Sequence, residues 1–264
     1  MKIAFLADLH LNFVGKFVID KLIKEMSVCD MAVIAGDISE APSLQQVLDY
    51  LAAGFNKPIY FVNGNHDYFN GSFAEVDKRC WERNNEPNQL AKWLTPLGIV
   101  ELTKDTCLIG HEGWYDCRNG DFFGSNMELN DFHLIYDLKI HCGKYNLFSL
   151  CNKLGDESAA YIDEMFPKAS AKYKNIVFAT HVPPFIEASL YLGQPASQAS
   201  LPFFSNKAAG DAIRRFAKAN PNTNVAILCG HSHDKAFYKF DNVSTYVVGA
   251  KYYEPAVYGV FEPK

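Results

Sequence analysis

Five short apolar segments in this chain are each followed at once by side chains that commonly bind metals. The segments cover residues 2–8, 30–36, 58–64, 175–180 and 224–229. Continuous apolar runs of this length are typical of strands that are buried on both faces. The carboxyl ends of strands in an open α/β sheet form one crevice, so we expect the side chains that follow them to meet. These side chains are Asp8, His10, Asp37, Asn65, His66, Asp67, His181, His231 and His233.

Helical patterns alternate with the first strands. Apolar residues recur at helical spacing over residues 17–26. A capping-box pattern at Ser43 and Gln46 predicts the start of a second helix, which we expect to end near Gly54. A third helix is predicted over residues 75–83. Alternation with short connections implies parallel strands joined by right-handed crossovers.

The middle of the chain is less regular than its two ends. Residues 111–155 are rich in Gly, Asn, Asp and aromatic residues, and we predict a variable insertion there. The whole of residues 1–264 is expected to form a single domain. Helices are predicted over residues 157–172 and 207–219. Further strands are predicted over residues 99–102, 106–110, 234–240, 243–248 and 256–261.

Composition limits the functions that such a chain can have. The formal net charge is −5 and no long basic run occurs, which argues against an extended nucleic-acid groove. No apolar run is long enough to span a membrane, and the strand pattern starting at Lys2 leaves no room for a signal peptide, so we expect a cytoplasmic protein. The cysteines lack a C-x-x-C pair, and we predict mostly free thiols. They are Cys29, Cys80, Cys107, Cys117, Cys142, Cys151 and Cys229.

The donor types at the strand ends indicate a transition-metal site. Carboxylate, amide oxygen and imidazole groups suit Mn, Fe, Zn, Co or Ni. No cysteine stands at an expected ligand position, which argues against a structural zinc site. Carboxylates and histidines crowded into one crevice need compensating positive charge. Two divalent ions would supply it, with manganese as the first expectation and iron, zinc, nickel or cobalt as alternatives.

Five short motifs resemble those of the calcineurin-like metallophosphoesterase family. They are D-x-H at residues 8–10, GD at 36–37, GNHD at 64–67, a single His181 and GHSH at 230–233. All five occur in the family's order. The resemblance is greatest to compact bacterial or phage phosphohydrolases and phosphodiesterases. It implies a four-layer α/β/β/α sandwich with two mixed β-sheets.

The resemblance also implies roles for individual residues. Asp37 would bridge two metal ions, and a hydroxide between the ions would attack phosphorus. His66 would act as the general acid that protonates the leaving group. The first metal site would consist of Asp8, His10, Asp37 and His233. The second would consist of Asp37, Asn65, His181 and His231.

We therefore expect a metal-dependent phosphomonoesterase or phosphodiesterase that acts on a small or nucleotide-like ester. In the insertion, His111, Trp114, Tyr115 and Arg118 are the predicted substrate contacts, since aromatic rings stack on bases and arginine binds phosphate. Packing of the two aromatic residues under a long loop is an equal alternative. Two other functions stay open, namely a nuclease and a non-catalytic protein-interaction scaffold.

Overall fold

The computed structural model describes residues 1–140 and 143–263. His141, Cys142 and Lys264 lie outside the described residues, so the free-thiol prediction for Cys142 is untested. The other six cysteines are buried and free, as predicted. Among the described residues, no helix combines the length and apolar character needed to cross a membrane.

The described residues form strands and helices that alternate along most of the chain. The strands are β1 (Ile3–Leu6), β2 (Met31–Ala35), β3 (Ile59–Val62), β4 (Ala91–Trp93), β5 (Val100–Glu101), β6 (Thr106–Gly110), β7 (Asn175–Ala179), β8 (Leu190–Tyr191), β9 (Gln194–Pro195), β10 (Asn224–Cys229), β11 (Ala236–Phe240), β12 (Val243–Val247) and β13 (Gly259–Phe261). The helices are α1 (Lys16–Met26), α2 (Leu44–Phe55), α3 (Phe73–Asn84), α4 (Asp131–Leu134), α5 (Tyr136–Lys139), α6 (Lys144–Ser170), α7 (Leu201–Phe204) and α8 (Lys207–Ala219).

Two large mixed sheets form the centre of the fold. The first has the order β13-β1-β2-β3-β4, in which β1 to β4 are parallel and β13 is antiparallel to β1. The second has the order β11-β12-β10-β7-β6-β5, and its two edge strands are antiparallel to their neighbours. The predicted parallel order of the first three strands is confirmed. In both sheets the parallel strands carry their carboxyl ends to one edge.

The two sheets pack face to face, and helices cover their outer faces. Ile3 and Phe5 point towards the second sheet, where Val177 and Leu228 belong to the same apolar cluster. The alternate residue Leu6 packs in the cluster formed with the first helices. Strand side chains alternate between faces, so β1 is apolar throughout because both of its faces are covered. The predicted four-layer α/β/β/α sandwich is confirmed.

Helices α6 and α8 cover the outer face of the second sheet. Phe166 of α6 lies edge-on to Phe178 of β7 and to Phe216 of α8, with ring centroids 5.2 Å apart in both pairs. Aromatic pairs of this kind stabilise a core by about 0.5–1.5 kcal/mol beyond the area they bury. The aromatic contacts therefore fix both helices against β7, the strand that leads to His181.

Some predicted helix ends differ from the structure. The Ser43 side chain does not cap α2, because its hydroxyl hydrogen-bonds to Ser39 and to the Glu40 carbonyl instead. The helix ends at Phe55, after which Asn56 adopts a left-handed backbone with φ of 52°. Asparagine tolerates this conformation, so Asn56 rather than Gly54 terminates the helix.

The predicted insertion at residues 111–155 contains more regular structure than expected. It holds α4 and α5, and α6 begins inside it at Lys144 rather than at residue 157. Strand β4 is also absent from the predictions, because three residues at a sheet edge show too little periodicity to detect. The corrected boundaries leave residues 111–130 as the irregular part of the segment.

Candidate metal centre and active-site cleft

The predicted ligand residues occupy sharp backbone corners at the ends of the strands. Five non-glycine residues there have positive φ angles between 45° and 73°. A left-handed conformation is unfavourable for most L-residues, although Asp, Asn and His adopt it more readily than the rest. These corners turn the side chains back over the edge of the sheets. The residues are Asp8, His10, Asp37, His231 and His233.

Four predicted ligands form one compact donor group. Asp8, His10, Asp37 and His233 each offer a ligand atom, and these atoms all lie within 4.8 Å of one another. The two histidine Nε2 atoms are 3.0 Å apart. The Asp37 Oδ2 atom is 3.7 Å from His10 Nε2, and Asp8 Oδ1 is 3.7 Å from His233 Nε2. The spacing suits ligands that share one cation.

A second donor group forms around the side-chain oxygen of Asn65. Asn65 Oδ1 is 3.0 Å from His181 Nε2 and 3.0 Å from His231 Nδ1. Asp37 belongs to both groups, because its Oδ1 atom lies 3.3 Å from His181 while its Oδ2 atom faces His10. The shared carboxylate is therefore placed between two donor groups.

Backbone carbonyl groups select the tautomers of the two histidines in the second group. His181 Nδ1 donates to the carbonyl of Ala35 at 2.8 Å, and His231 Nε2 donates to the carbonyl of Phe203 at 2.8 Å. In the neutral rings, the remaining nitrogens then carry lone pairs that face Asn65 Oδ1. Metal-binding histidines are commonly oriented in this way. Burial lowers the pKa of His181, but the Asp37 carboxylate outweighs this effect and raises the pKa to about 9, so the site favours positive charge at this nitrogen, either as a proton or as a cation.

Burial changes the ionisation of the donor groups. It raises the pKa of Asp8 to about 6, against the lowering effect of His181 and His233. Burial also lowers the pKa of His10 to about 3 and that of His231 to about 3. Both imidazoles are consequently neutral near pH 7, which is the form that binds metals.

His66 stands next to both groups at the mouth of the site. Its backbone N–H donates to Asp37 Oδ1 at 2.9 Å, and its Nε2 atom is 4.0 Å from Asp37 Oδ2. The ring packs against Phe69 and His10, with centroid distances of 4.1 Å and 4.4 Å. His66 is therefore held beside the donor groups while its side chain still lines an open cleft.

The cleft above the donor groups has a volume of about 390 Å³. Its floor is made by Asp37, Asn65, His231 and His233. Apolar side chains form much of its walls. They are Phe69, Leu129, Tyr191, Leu192, Phe204 and Tyr252.

The structure does not bring the four predicted substrate contacts into this cleft. Tyr115 is fully buried and Trp114 is 95% buried, so both pack under the loop, as in the alternative prediction. Arg118 pairs with Asp116 and Asp156, at 3.2 Å and 2.8 Å. His111 faces a separate pocket. An aromatic residue in an irregular segment gives the same sequence signal whether it faces a core or a cleft.

Two acidic residues that were not predicted as ligands or catalytic groups support the site. Asp131 is buried, and its two oxygens accept from Asn65 Nδ2 at 2.9 Å and from the Tyr115 hydroxyl at 2.8 Å. No motif or periodicity marks Asp131 in the sequence. Asp67, the last residue of GNHD, accepts three backbone N–H groups, which belong to Ile38, Ser39 and Gly64. The GNHD motif had marked Asp67 in the sequence. Its hydrogen bonds connect the loop after β2 to the loop after β3.

Gly64 allows the shared carboxylate to approach the backbone. A Cβ atom at this position would collide with Asp37 Oδ1 and with the Asp37 backbone nitrogen. The glycine at this strand end therefore provides space for Asp37.

The fold and its paired donor groups define an α/β protein with a buried cluster of Asp and His side chains that can bind metal ions. The sequence model of the calcineurin-like phosphoesterase family matches residues 1–235. The chain belongs to this family.

Solved structures of low sequence identity share this fold. The phosphopantetheinyl hydrolase of Mycobacterium tuberculosis has a TM-score of 0.65 at 16% identity, covering 94% of this chain and 89% of that one. GAP50, the anchor in the inner membrane complex of Plasmodium, has a TM-score of 0.52 at 12% identity, covering 94% of this chain and 71% of that one. No curated protein sequence matches the chain. At these identities the similarity shows the fold alone.

Proposed function

We propose that this protein is a binuclear metal-dependent hydrolase of small phosphate esters. The family assignment supports metal-dependent phosphoester hydrolysis in general. The observation that carries the more specific proposal is the position of Asp37, whose two oxygens face two separate groups of nitrogen and oxygen donors. One carboxylate between two donor groups is the arrangement that a pair of cations requires.

Each donor group would hold one divalent transition-metal ion, with manganese as the first choice. When bound, a pair of such ions polarises phosphoryl oxygens and lowers the pKa of water. His181 and His231 keep their free nitrogens aimed at the second group through their hydrogen bonds to backbone carbonyls. His66 lies at the open side of both groups, where it would donate a proton to the leaving oxygen.

Elemental analysis of the purified protein, followed by an activity screen, tests this proposal. We expect two metal ions per chain and hydrolysis of phosphate mono- or diesters in at least one of Mn, Fe, Zn, Ni or Co. Tight binding of single-stranded DNA with its degradation at low enzyme concentration would favour the nuclease alternative. Absence of metal from folded protein after reconstitution would contradict the proposal and favour a scaffold.

The Asp37→Asn variant tests the shared carboxylate. An amide has one oxygen and no charge, so it cannot bind two cations as a carboxylate does. We expect loss of at least one metal ion per chain and a fall in activity to the detection limit. Asp30→Asn, a surface change away from the site, is the matched control. Full metal content in Asp37→Asn would argue against a bridging position.

A further inference from the structure

We propose that the cleft prefers phosphate diesters to monoesters, and that it takes diesters with an apolar or aromatic group on both sides of phosphorus. The inference rests on the proposed function, because it concerns the substrate of the same site. It follows from two independent properties of the cleft, namely the charges that line it and the positions of its apolar walls.

The charges of the cleft are unsuited to a doubly negative ligand. No arginine or lysine occurs among the described residues that line it. Beyond the donor groups, its charged residues are the acids Asp131 and Asp234. Lys251 is next to Tyr252 in sequence, yet it is directed to Glu254 at 3.9 Å and does not line the cleft. Any positive charge offered to a substrate therefore has to come from bound metal ions or from a protonated His66.

The formal charge that two metal ions provide matches a monoanion. Two divalent ions would bring four positive charges, and the carboxylates of Asp8 and Asp37 would offset two of them. A hydroxide nucleophile and a singly charged diester would offset the other two. Around them, a protonated His66 adds one positive charge and the carboxylates of Asp131 and Asp234 add two negative charges. A monoester is close to doubly charged above pH 7, because the second ionisation of a phosphate lies near pH 6. It would leave an uncompensated negative charge in a partly closed cleft, which is unfavourable.

The first apolar wall stands beside His66. The ring of Tyr252 lies 4.5 Å from the ring of His10, 4.9 Å from that of His233 and 6.3 Å from that of His66. The ring of Phe69 also packs against His66, with ring centroids 4.1 Å apart. A leaving group that receives its proton from His66 would contact these two rings.

The second apolar wall stands beside His231, at the other donor group. The Phe204 ring lies 5.3 Å from the His231 ring, and Tyr191 packs on Phe204 at 4.9 Å. Leu129 and Leu192 also line the cleft, and Leu192 follows Tyr191 in the chain. A diester carries a second organic group that can cover this surface. A monoester has only a charged oxygen to place there, at a desolvation cost.

Paired substrates with one leaving group test the preference. We expect kcat/KM of the metal-loaded protein at pH 8 to be at least tenfold higher for bis(4-nitrophenyl) phosphate than for 4-nitrophenyl phosphate. Binding is measured separately with two ligands that cannot be hydrolysed. Calorimetry should show at least tenfold tighter binding of diphenylphosphinate, a monoanion with two rings, than of phenylphosphonate, a dianion with one.

A charge added at the rim should change the preference. Leu192 is 80% exposed and lines the cleft. We expect Leu192→Lys to raise kcat/KM for the monoester and to tighten phenylphosphonate binding, each at least threefold relative to Leu192→Gln. The glutamine variant is the matched control, because both variants remove the same apolar contact to a diester and only lysine adds a charge.

Several outcomes would overturn the inference. These are equal or better hydrolysis of the monoester, equal or tighter binding of phenylphosphonate, or equal effects of lysine and glutamine at position 192. If neither ester is hydrolysed by protein that holds two metal ions, the proposed function fails. The binding comparison still decides the charge preference in that case.

Discussion

Asn65 can offer either an oxygen or an NH₂ group to its neighbours, and Asp131 decides which one faces the second donor group. The Asp131 carboxylate accepts from Asn65 Nδ2, so the amide oxygen points at His181 and His231. A carboxylate cannot accept from the amide oxygen, which fixes the amide in one orientation. Asp131 is thus a positioning residue for the second donor group.

We predict that Asp131→Asn lowers the affinity for the proposed second metal ion by about 10–100-fold. Loss of a hydrogen-bond partner of a metal ligand typically has an effect of this size. The first ion should keep its affinity. Calorimetric titration with Mn²⁺ measures both. Tyr115→Phe, which removes only the hydrogen bond to the other Asp131 oxygen, is a milder control. Equal weakening of both ions would indicate general loss of structure instead.

His66→Gln should keep both metal ions and slow turnover. His66 lies 4.0 Å from Asp37 and outside the compact donor group. We expect kcat to fall by about 10²–10⁴-fold, the usual contribution of a general acid. The fall should be larger for alkyl than for 4-nitrophenyl leaving groups, because a good leaving group needs little protonation. Unchanged kcat on an alkyl ester would exclude the acid role.

Residue type and order were enough to predict which side chains meet. Asp8, Asp37 and His181 follow apolar strands, and strand ends converge by topology alone. Neither periodicity nor motif distinguishes Trp114, which packs inside, from Tyr252, which lines the cleft. The apolar residues that line the cleft come from irregular segments. The sequence therefore predicted which Asp, Asn and His side chains converge, but not which apolar residues surround them.

At the scale of elements, the regular half of the chain was predictable and the insertion was not. Helix α8 and strand β10 have the predicted bounds, because each buries a face of clear periodicity. Helix α6 starts earlier than predicted. Leu147, Cys151 and Leu154 show helical spacing there, and this signal is masked by the polar and aromatic residues between them.

Helix α3 carries a half-buried acid, Asp77, whose titration should affect stability. Burial, together with the nearby Glu112 carboxylate, raises the pKa of Asp77 to about 7. The folded state therefore holds this proton more tightly than the unfolded state, in which the pKa is 3.8. As pH rises from about 4 to 7, the protein loses stability from this group, by about 1.4 kcal/mol for each unit of difference in pKa.

Asp77→Asn should remove that loss. The amide oxygen can still accept the Tyr68 hydroxyl, which donates to Asp77 at 2.9 Å. The free energy of unfolding of the variant minus that of the wild type should be roughly 2–4 kcal/mol larger at pH 8 than at pH 4. Urea unfolding at both pH values measures the two free energies. A pH-independent difference would contradict a raised pKa at Asp77.

At the scale of the whole molecule, the two donor groups join the two sheets. Asp8, Asp37 and Asn65 follow strands of the first sheet, whereas His181 and His231 follow strands of the second. The donor groups combine residues from both sides. A cation bound there links two layers that otherwise hold together through apolar contact between their inner faces.

Removal of metal should therefore lower the thermal stability. An ion at 100 times its Kd stabilises the folded state by about 2.7 kcal/mol, and a chain of this size loses roughly 2–4 °C in Tm for each kcal/mol. We expect a chelator to lower Tm by about 5–20 °C, as seen by scanning calorimetry, and Mn²⁺ to restore it. Asp37→Asn should show little change with chelator. An unchanged wild-type Tm would argue against metal in the folded protein.

The left-handed corners at the strand ends restrict which amino acids can serve there. Asp, Asn and His are enriched among residues that accept this backbone, and they are also good donors to hard and borderline cations. β-Branched replacements at Asp8 or His231 would meet a conformational barrier before any question of coordination arises. The backbone at the strand ends thereby favours side chains that offer oxygen or nitrogen to a cation.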